Sequence, residues 1–254
     1  MSTLTTAESV NTLVRFCALR DVPVLTAGLA DVAILFGGSV LGGADVFADG
    51  MRAGVADRYM VVGGQGHTTD ALRSRLRDRM GWADVATMTE AALFARYLAE
   101  RHGLTVDLLE QESTNCGNNV TYALDLLRNA GVRHDRLLLM QDATMQHRMS
   151  AGFRLHAPPS TRIVDYAAHR TTVTGVGGAL SYVDPPDGMW QLERYVAMLM
   201  GEIPRLTDDE HGYGPAGRGF IAHVDVPDEV RRAFDHLREN TGFATRRADP
   251  RWAG

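Results

Sequence analysis

The sequence predicts an α/β fold: a mainly parallel β-sheet with helices on both faces. Short apolar runs alternate with helical patterns through the first 158 residues, and glycine-rich or polar loops follow the apolar runs. Continuous apolar strands separated by helices are typical of parallel sheets that are covered on both sides. In such sheets ligands bind beyond the carboxyl ends of the strands, so these loops are the expected place for a site.

Five apolar runs are long enough to be strands, and each precedes a loop or a helical pattern. The predicted strands are residues 32–38, 58–66, 104–110, 135–142 and 161–166. The predicted helices are residues 45–55, 68–80, 89–102, 117–131 and 144–156. Thr89 is a suitable N-cap for the third helix, and Gly103 follows its last turn.

The pattern changes after about residue 158, where turn-forming residues interrupt the alternation. Residues 167–182 are polar and predict a loop, whereas residues 189–203 and 228–240 predict amphipathic helices. The last ten residues, 245–254, predict a frayed tail. We therefore expect a ligand-binding α/β domain at residues 1–158 and a smaller C-terminal subdomain at residues 159–254 packed on it.

Composition limits the classes of function. The chain has 254 residues, 45% of them apolar and 22% charged, as in ordinary globular proteins. Its net charge of −5 argues against a nucleic acid partner. No apolar run is long enough to cross a bilayer, and the first residues lack a signal-peptide pattern, so we expect a cytoplasmic protein without membrane contact.

The chain contains no lysine, since every basic side chain other than histidine is arginine. A Schiff base with pyridoxal phosphate and a standard P-loop are therefore excluded. Any anion must be bound by arginine, backbone N–H groups or helix ends. Cys17 and Cys116 are far apart in sequence; a reducing compartment argues against their pairing, and two thiols cannot form a multi-thiolate zinc site.

The loop GGQGHTT, residues 63–69, is the first candidate site. Gly64 and Gly66 would let a ligand approach the backbone, and His67 would stand at the pocket mouth. A tight turn with Thr68 or Thr69 as helix cap explains the same residues equally well. The loop GGSVLGG is a weaker candidate, in which the pocket floor would be formed by Gly37, Gly38 and Ser39.

The second candidate is EQESTNCGNN, residues 110–119. One helix cap needs one side chain, but four hydrogen-bonding side chains are present, which favours a ligand. They are Ser113, Thr114, Asn115 and Asn118. Glu110 or Glu112 could accept from ribose hydroxyls or an amino group. Cys116 could react as a thiolate at the helix N-terminus, but a small buried residue is the favoured interpretation, because no histidine is near in sequence.

The third candidate is QDATMQHRM, residues 141–149. Thr144 is a candidate helix cap, and Arg148 could pair with an anionic group. A solvated helix face is the alternative. The other polar side chains of this segment are Asp142, Gln146 and His147. The acidic and histidine residues at 208–211 and 223–225 match no metal-ligand spacing, so we expect no metal site there.

Several of these segments resemble the YdcF proteins, which belong to a larger group that includes the SanA and ElyC envelope proteins. The glycines at 63–66, the segment TNCGNN, the helix start QDATMQHR and the run 188–227 carry the resemblance, which covers about residues 10–237. The C-terminal run is specific to the YdcF branch. The family positions that match are Gly37, Gly38, Gly63, Gly64, Gly66, His67, Thr114, Asn115, Gly117, Asn119, Asp142, Thr144, Gln146 and Arg148.

The resemblance implies a Rossmann-like domain with a smaller C-terminal domain, and a ligand of the S-adenosylmethionine type. It is also compatible with a homodimer. The predicted ligand-binding set comprises the matching positions other than Gly63 and Gly117, together with Ser39, Glu112 and Asn118. One departure is notable: Asn118 stands where the wider group has glutamate, and a neutral amide cannot accept a proton at neutral pH. Cys116 likewise replaces the threonine of the wider group, as it does in the YdcF branch.

Three functions are compatible with these residues. The first is binding of S-adenosylmethionine or a related nucleotide metabolite, extending to a transferase that works by alignment of a ligand with a good leaving group. The second is a hydrolase or transferase acting on a phosphorylated or nucleotide substrate. The third is a non-catalytic metabolite sensor. His67, Asp142 and Arg148 are the catalytic candidates of the enzymatic alternatives.

Overall fold

A five-stranded parallel sheet forms the centre of the protein, as the sequence predicts. The computed structural model describes residues 4–176 and 179–246. The strands of the sheet are β1 (Ala30–Phe36), β2 (Ala56–Val62), β3 (Leu108–Glu110), β4 (Arg136–Met140) and β5 (Arg162–Asp165). Their order is β3-β2-β1-β4-β5, and every neighbouring pair is parallel. The chain reverses its direction of winding between β1 and β4, which makes their carboxyl ends the switch point of a Rossmann-like sheet.

Helices cover both faces of this sheet. In the described residues they are α1 (Thr6–Cys17), α2 (Gly42–Arg52), α3 (Thr69–Met80), α4 (Glu90–His102), α5 (Cys116–Asn129), α6 (Gln146–His156), α7 (Leu192–Leu206) and α8 (Asp228–Asn240). Alternate residues of β1 point to opposite faces. Leu35 packs with Phe47 and Phe94 of α2 and α4, whereas Ile34 packs with Phe153 of α6.

The predicted caps of α4 are confirmed. The hydroxyl of Thr89 accepts from the backbone N–H of Ala92 at 3.2 Å. Gly103 ends the helix at φ 66°, a left-handed conformation that glycine adopts without strain.

The prediction of a loop at residues 167–182 is wrong, because most of this segment forms an antiparallel hairpin. Its strands are β6 (Thr172–Val176) and β7 (Ala179–Val183), and the glycines between them, 177 and 178, lie outside the described residues. β6 packs on α1: the Asn11 side chain donates to the Val173 carbonyl and accepts from its N–H, each at 2.8 Å. A tertiary contact of this kind is not visible in the polar composition of the segment.

α1 is a helix that the sequence patterns above did not indicate. It begins with a capping box, in which the Thr5 hydroxyl accepts from the Glu8 N–H and the Glu8 carboxylate accepts from the Thr5 N–H. Its apolar face, including Leu13 and Val14, packs in one cluster with Tyr195 of α7 and Leu237 of α8. The helices predicted at 189–203 and 228–240 are thereby confirmed, and both pack against the first helix of the chain.

The residues that form the central sheet and those that form the hydrophobic cluster of α1, α7 and α8 are interleaved in sequence. β5 follows residue 158 and still completes the central sheet, whereas α1 precedes it and joins the cluster of α7 and α8. Val40 and Ala143, which follow β1 and β4, also pack in that cluster. The C-terminal elements therefore lie beside the carboxyl edge of the sheet.

Two further observations concern membrane crossing and the predicted tail. Within residues 4–176 and 179–246, no helix combines the length and apolar character that crossing a bilayer requires. Of the tail predicted at 245–254, only residues 245 and 246 are described; the remainder lies outside the described residues.

A buried ion pair joins the sheet domain to the C-terminal elements. The Arg148 guanidinium on α6 bonds both carboxylate oxygens of Glu202 on α7, at 2.5 and 3.1 Å. The Glu202 side chain is only 1% exposed, and Arg205 lies 3.7 Å from it. Removing one partner of such a pair leaves an uncompensated buried charge.

We expect Arg148→Met to lower the free energy of unfolding by about 3–5 kcal/mol, because Glu202 then stays buried without its main partner. The double variant Arg148→Met/Glu202→Leu should recover much of that loss. Urea denaturation of both single variants and the double variant measures the coupling. Additive effects of the two substitutions would contradict a shared ion pair.

Candidate functional site

The loops after β1, β2, β3 and β4 converge on one cleft next to the switch point. Its lining in the described residues consists of Gly37, Gly38, Gly63, Gly64, Gln65, Gly66, His67, Thr68, Glu90, Ser113, Thr114, Asn115, Cys116, Asn119, Gln141, Asp142, Met145 and Met198. We call this set the cleft. It encloses about 60 Å³, which holds a few water molecules, and it opens to solvent. A larger ligand would place one polar end inside and extend outward.

Most of the predicted ligand-binding residues lie in this cleft. Those that line it are Gly37, Gly38, Gly64, Gly66, His67, Thr114, Asn115, Asn119 and Asp142. Those that do not are Ser39, Glu112, Asn118, Thr144, Gln146 and Arg148. The sequence pattern therefore located the loops, while the direction of individual side chains depends on tertiary contacts.

Two glycines are required by close approach. A Cβ on Gly37 would overlap the Glu90 carboxylate, and a Cβ on Gly64 would overlap the Ser113 carbonyl oxygen. The Gly64 N–H donates to that same carbonyl at 3.1 Å. The loops after β1, β2 and β3 therefore pack against one another with no room for side chains at these points.

The segment EQESTNCGNN is both a helix cap and a wall of the cleft. The Asn115 side chain accepts from the Asn118 N–H at 2.9 Å and is the N-cap of α5. The Asn118 side-chain oxygen accepts from Thr114 at 3.1 Å and from Asn115 at 2.9 Å. Thr114 and Asn115 line the cleft, whereas Asn118 fastens the first turn of the helix behind them.

The two glutamates of this segment have different positions. Glu110 is buried and accepts from the N–H groups of Glu112 and Ser113 at 2.6 and 2.9 Å, and from the Ser113 hydroxyl at 2.6 Å. It holds the loop and does not line the cleft. Glu112 is exposed outside the cleft, so neither carboxylate occupies the position suggested for a ribose acceptor.

In the segment after β4, Asp142 faces the cleft and its neighbours support it. One Asp142 carboxylate oxygen accepts from the Thr144 N–H at 2.8 Å and from its hydroxyl at 2.6 Å. Thr144 therefore does not cap α6, whose N-cap is Met145. Gln146 is buried, where it accepts from the Gln141 N–H at 2.8 Å and donates to Asp165 at 2.8 Å.

Three further candidates from the sequence are Arg148, Ser39 and Cys116. Arg148 is committed to Glu202 in the buried ion pair described above. The Ser39 hydroxyl is buried and accepts from the Trp190 indole N–H at 2.8 Å. Burial raises the pKa of the Cys116 thiol, which argues against a reactive thiolate, although the side chain is only partly buried and lines the cleft.

The residues at 208–225 form an ion-pair cluster. The His223 ring contacts Asp208 through Nδ1 at 2.5 Å and Asp225 through Nε2 at 3.0 Å. The two carboxylates lie on different sides of the ring and do not converge on one point. Among the residues that the structure describes, no group of three or more histidine, cysteine or acidic side chains is arranged to hold a metal ion.

Glu90 is the main cleft residue that the sequence patterns missed. It is the first residue of α4 and is 7% exposed. The hydroxyls of Thr68 and Thr69 each donate to Oε1 of Glu90 at 2.8 Å, so these threonines serve the carboxylate and do not cap α3 through their side chains. An acidic residue in a first helical turn is common, which is why the pattern alone did not single it out.

The environment of Glu90 favours its protonated form. Burial raises the pKa of Glu90 to about 7, against the opposing effect of the two threonine hydroxyls, and the negative charge of Asp142 adds to the rise. A carboxyl group with a pKa near neutrality can both accept and release a proton under physiological conditions. The cleft therefore contains a group suited to acid–base chemistry.

A second buried acid–base side chain lies behind Asp142. His169 is 7% exposed, and its Nε2 has no hydrogen-bond partner among the described residues. A cavity of about 10 Å³ touches His169, Gly38 and Asp142. Burial lowers the pKa of His169, so the neutral imidazole is favoured. This mainly apolar cavity shares Gly38 and Asp142 with the cleft and therefore lies directly behind it.

No protein-family model matches the chain. The features that mark a site are geometric: four strand ends, a buried carboxyl group and several polar side chains meet at one cleft.

The raised pKa of Glu90 predicts a pH-dependent stability. The folded state holds the proton up to about pH 7, whereas the unfolded chain releases it near the ordinary glutamate pKa of 4.5. This contribution is therefore complete below pH 4.5 and is lost as pH rises through 7, by about 3 kcal/mol in total. We expect Glu90→Gln to lack this loss, so that its stability relative to the wild type increases between pH 5 and pH 8.

Urea denaturation of both proteins at several pH values measures this difference. Using the wild type as the reference removes the contributions of all other titrating groups. A stability difference that does not change with pH would show that Glu90 does not titrate in this range.

Proposed function

We propose that the protein binds a small charged metabolite in the cleft, and that the ligand is S-adenosylmethionine or a related nucleotide metabolite. The observation that carries this proposal is the convergence of four strand-end loops beside the switch point, the position where α/β sheets of this order bind ligands. The resemblance to YdcF proteins suggests the ligand class. The glycines at positions 37 and 64 let the surrounding loops pack closely, which holds the walls of the cleft in place.

The polarity of the cleft fits such a ligand. Asp142, Asn119 and Gln141 provide oxygen acceptors for hydroxyl and amino groups. The N-terminus of α5 lies at the wall formed by Thr114, Asn115 and Cys116, and helix N-termini favour a carboxylate or phosphate. Met198 from α7 adds an apolar surface. A ligand with both charged and apolar parts thus finds a matching group at each side.

The buried carboxyl group extends this proposal to group transfer. In a transfer from a sulfonium, the acceptor's lone pair forms the new bond to carbon and the carbon–sulfur electrons return to sulfur, which leaves as a neutral thioether. The acceptor must also lose a proton, and the Glu90 carboxylate can take it. Asn118 stands where the wider group has glutamate, but it lies outside the cleft. The exchange of glutamate for asparagine at that position therefore does not affect Glu90, the proton acceptor proposed here.

Titration calorimetry with S-adenosylmethionine tests the proposal. We expect saturable heat for the wild type and binding at least tenfold weaker for Asn115→Ala, because Asn115 both lines the cleft and holds its wall in place. Loss of this N-cap also costs about 1 kcal/mol of stability. Thr5→Ala is the matched control, since Thr5 caps α1 and does not line the cleft.

Both variants should show a similar small decrease in melting temperature, and only Asn115→Ala should bind ligand more weakly. Equal affinities in the two variants would mean that Asn115 acts as a plain cap. An absence of heat for the wild type at millimolar ligand would rule out this ligand class.

A further inference from the structure

The chain returns to the cleft after α8, and its last described residue reaches the cleft mouth. The Arg246 N–H donates to the Ala197 carbonyl of α7 at 3.1 Å. The Arg246 guanidinium lies 3.1 Å from Nε2 of His67, in the loop after β2. Arg246 therefore bridges α7 and the glycine loop after β2, the two sides between which a ligand would extend from the cleft.

The position of Arg246 on α7 is defined by close packing. A Cβ on Gly201 would lie 2.8 Å from the Arg246 carbonyl oxygen and 2.9 Å from its Cβ, so the segment rests directly on a helical glycine. Arg205 donates to the same carbonyl at 3.3 Å. These contacts fix the backbone from which the guanidinium projects.

The charges around Arg246 leave room for an anion. Burial lowers the pKa of Arg246, and the positive charges of Arg205 and Arg148 lower it further, while the negative charges of Glu202 and Asp142 raise it. The Glu202 carboxylate is already paired with Arg148 at 2.5 Å and lies 3.7 Å from Arg205. Among the described residues, Arg246 has no carboxylate within salt-bridge distance. A partly buried guanidinium in this situation favours an anionic partner.

We propose that Arg246, together with His67, forms the anion-binding end of the cleft and binds the carboxylate or phosphate group of the metabolite. This inference rests on the proposed function and adds the group that would select an anionic ligand. It concerns a segment beyond residue 237, outside the region that resembles the YdcF proteins. Guanidinium suits both anions because it donates two parallel hydrogen bonds to either.

Two pairs of probes separate the two anions. S-adenosylhomocysteine and methylthioadenosine differ by the amino acid end, which carries the carboxylate, and adenosine monophosphate and adenosine differ by the phosphate. For the pair that the cleft recognises, we expect the wild type to prefer the anionic member by about tenfold or more. Arg246→Ala should reduce that preference to near equality and leave the affinity of the other member within about twofold.

Two further variants serve as a control and as an independent check. Arg238→Ala removes a charge at an exposed position on α8, where Arg238 pairs with Asp235 at 2.8 Å, and should keep the wild-type preference. Gly201→Ala retains every charge but displaces the segment that carries Arg246. It should therefore reduce the preference as Arg246→Ala does.

An anionic preference that survives in Arg246→Ala, or an equal loss for both members of a pair, would overturn the proposal. If the wild type binds none of the four adenosine compounds, the proposed function is wrong. Inorganic phosphate then tests the anion site alone. A phosphate-induced increase in melting temperature that Arg246→Ala abolishes and Arg238→Ala retains would support the site. No increase in the wild type, or an equal increase in both variants, would overturn it.

Discussion

Burial of the Glu90 carboxylate is the interaction on which the geometry of the cleft depends. Its oxygens lie against Gly37 and accept from Thr68 and Thr69, while the backbone N–H of Glu90 donates to the Gly64 carbonyl at 2.9 Å. One side chain thus connects the loops after β1 and β2 with the first turns of α3 and α4. A side chain larger than glycine at position 37 would break this arrangement.

A buried carboxyl group lowers stability at neutral pH, since an apolar surrounding disfavours its charged form. Other buried acids near the cleft are used differently. Glu110 is satisfied by backbone and hydroxyl donors, and Glu202 by arginine. Glu90 receives two hydroxyl donors on one oxygen, which does not offset its burial. Groups left in this state are concentrated at functional sites, and this supports assigning chemistry to Glu90.

The sequence was sufficient for the sheet and for the loops at its carboxyl edge, because these follow from local patterns. The apolar strands are recognised because they are buried between helices. Thr89, which caps α4 with its side chain, and Gly103, which ends it in a left-handed conformation, both mark a helix end in the sequence. The hairpin β6–β7 was not predicted because it is held by hydrogen bonds to α1, a distant part of the chain. Pattern-based inference fails where the partner of a segment is remote in sequence.

The same distinction applies inside the cleft. The segment EQESTNCGNN has an excess of polar side chains over one cap, and the structure uses that excess to fasten the loop as well as to line the cleft. Gln146 and Arg148 occupy the strand end predicted for a site, yet their partners are Asp165 and Glu202. Glu90 was overlooked for the opposite reason, since a glutamate in a first helical turn needs no special explanation.

The cleft lies between the central sheet and the hydrophobic cluster of α1, α7 and α8, and this position bears on the specificity proposed for it. Val40 and Ala143, next to the strand ends, pack into the cluster formed by α1, α7 and α8, so that α7 becomes one wall of the cleft and contributes Met198. The loops of the sheet are constrained by Glu90 and by close glycine contacts, and the segment around Arg246 is fixed on α7 by its contacts with Ala197 and Gly201. Under the proposed function, the loops would bind the common part of a ligand and the C-terminal segment would select its charged end.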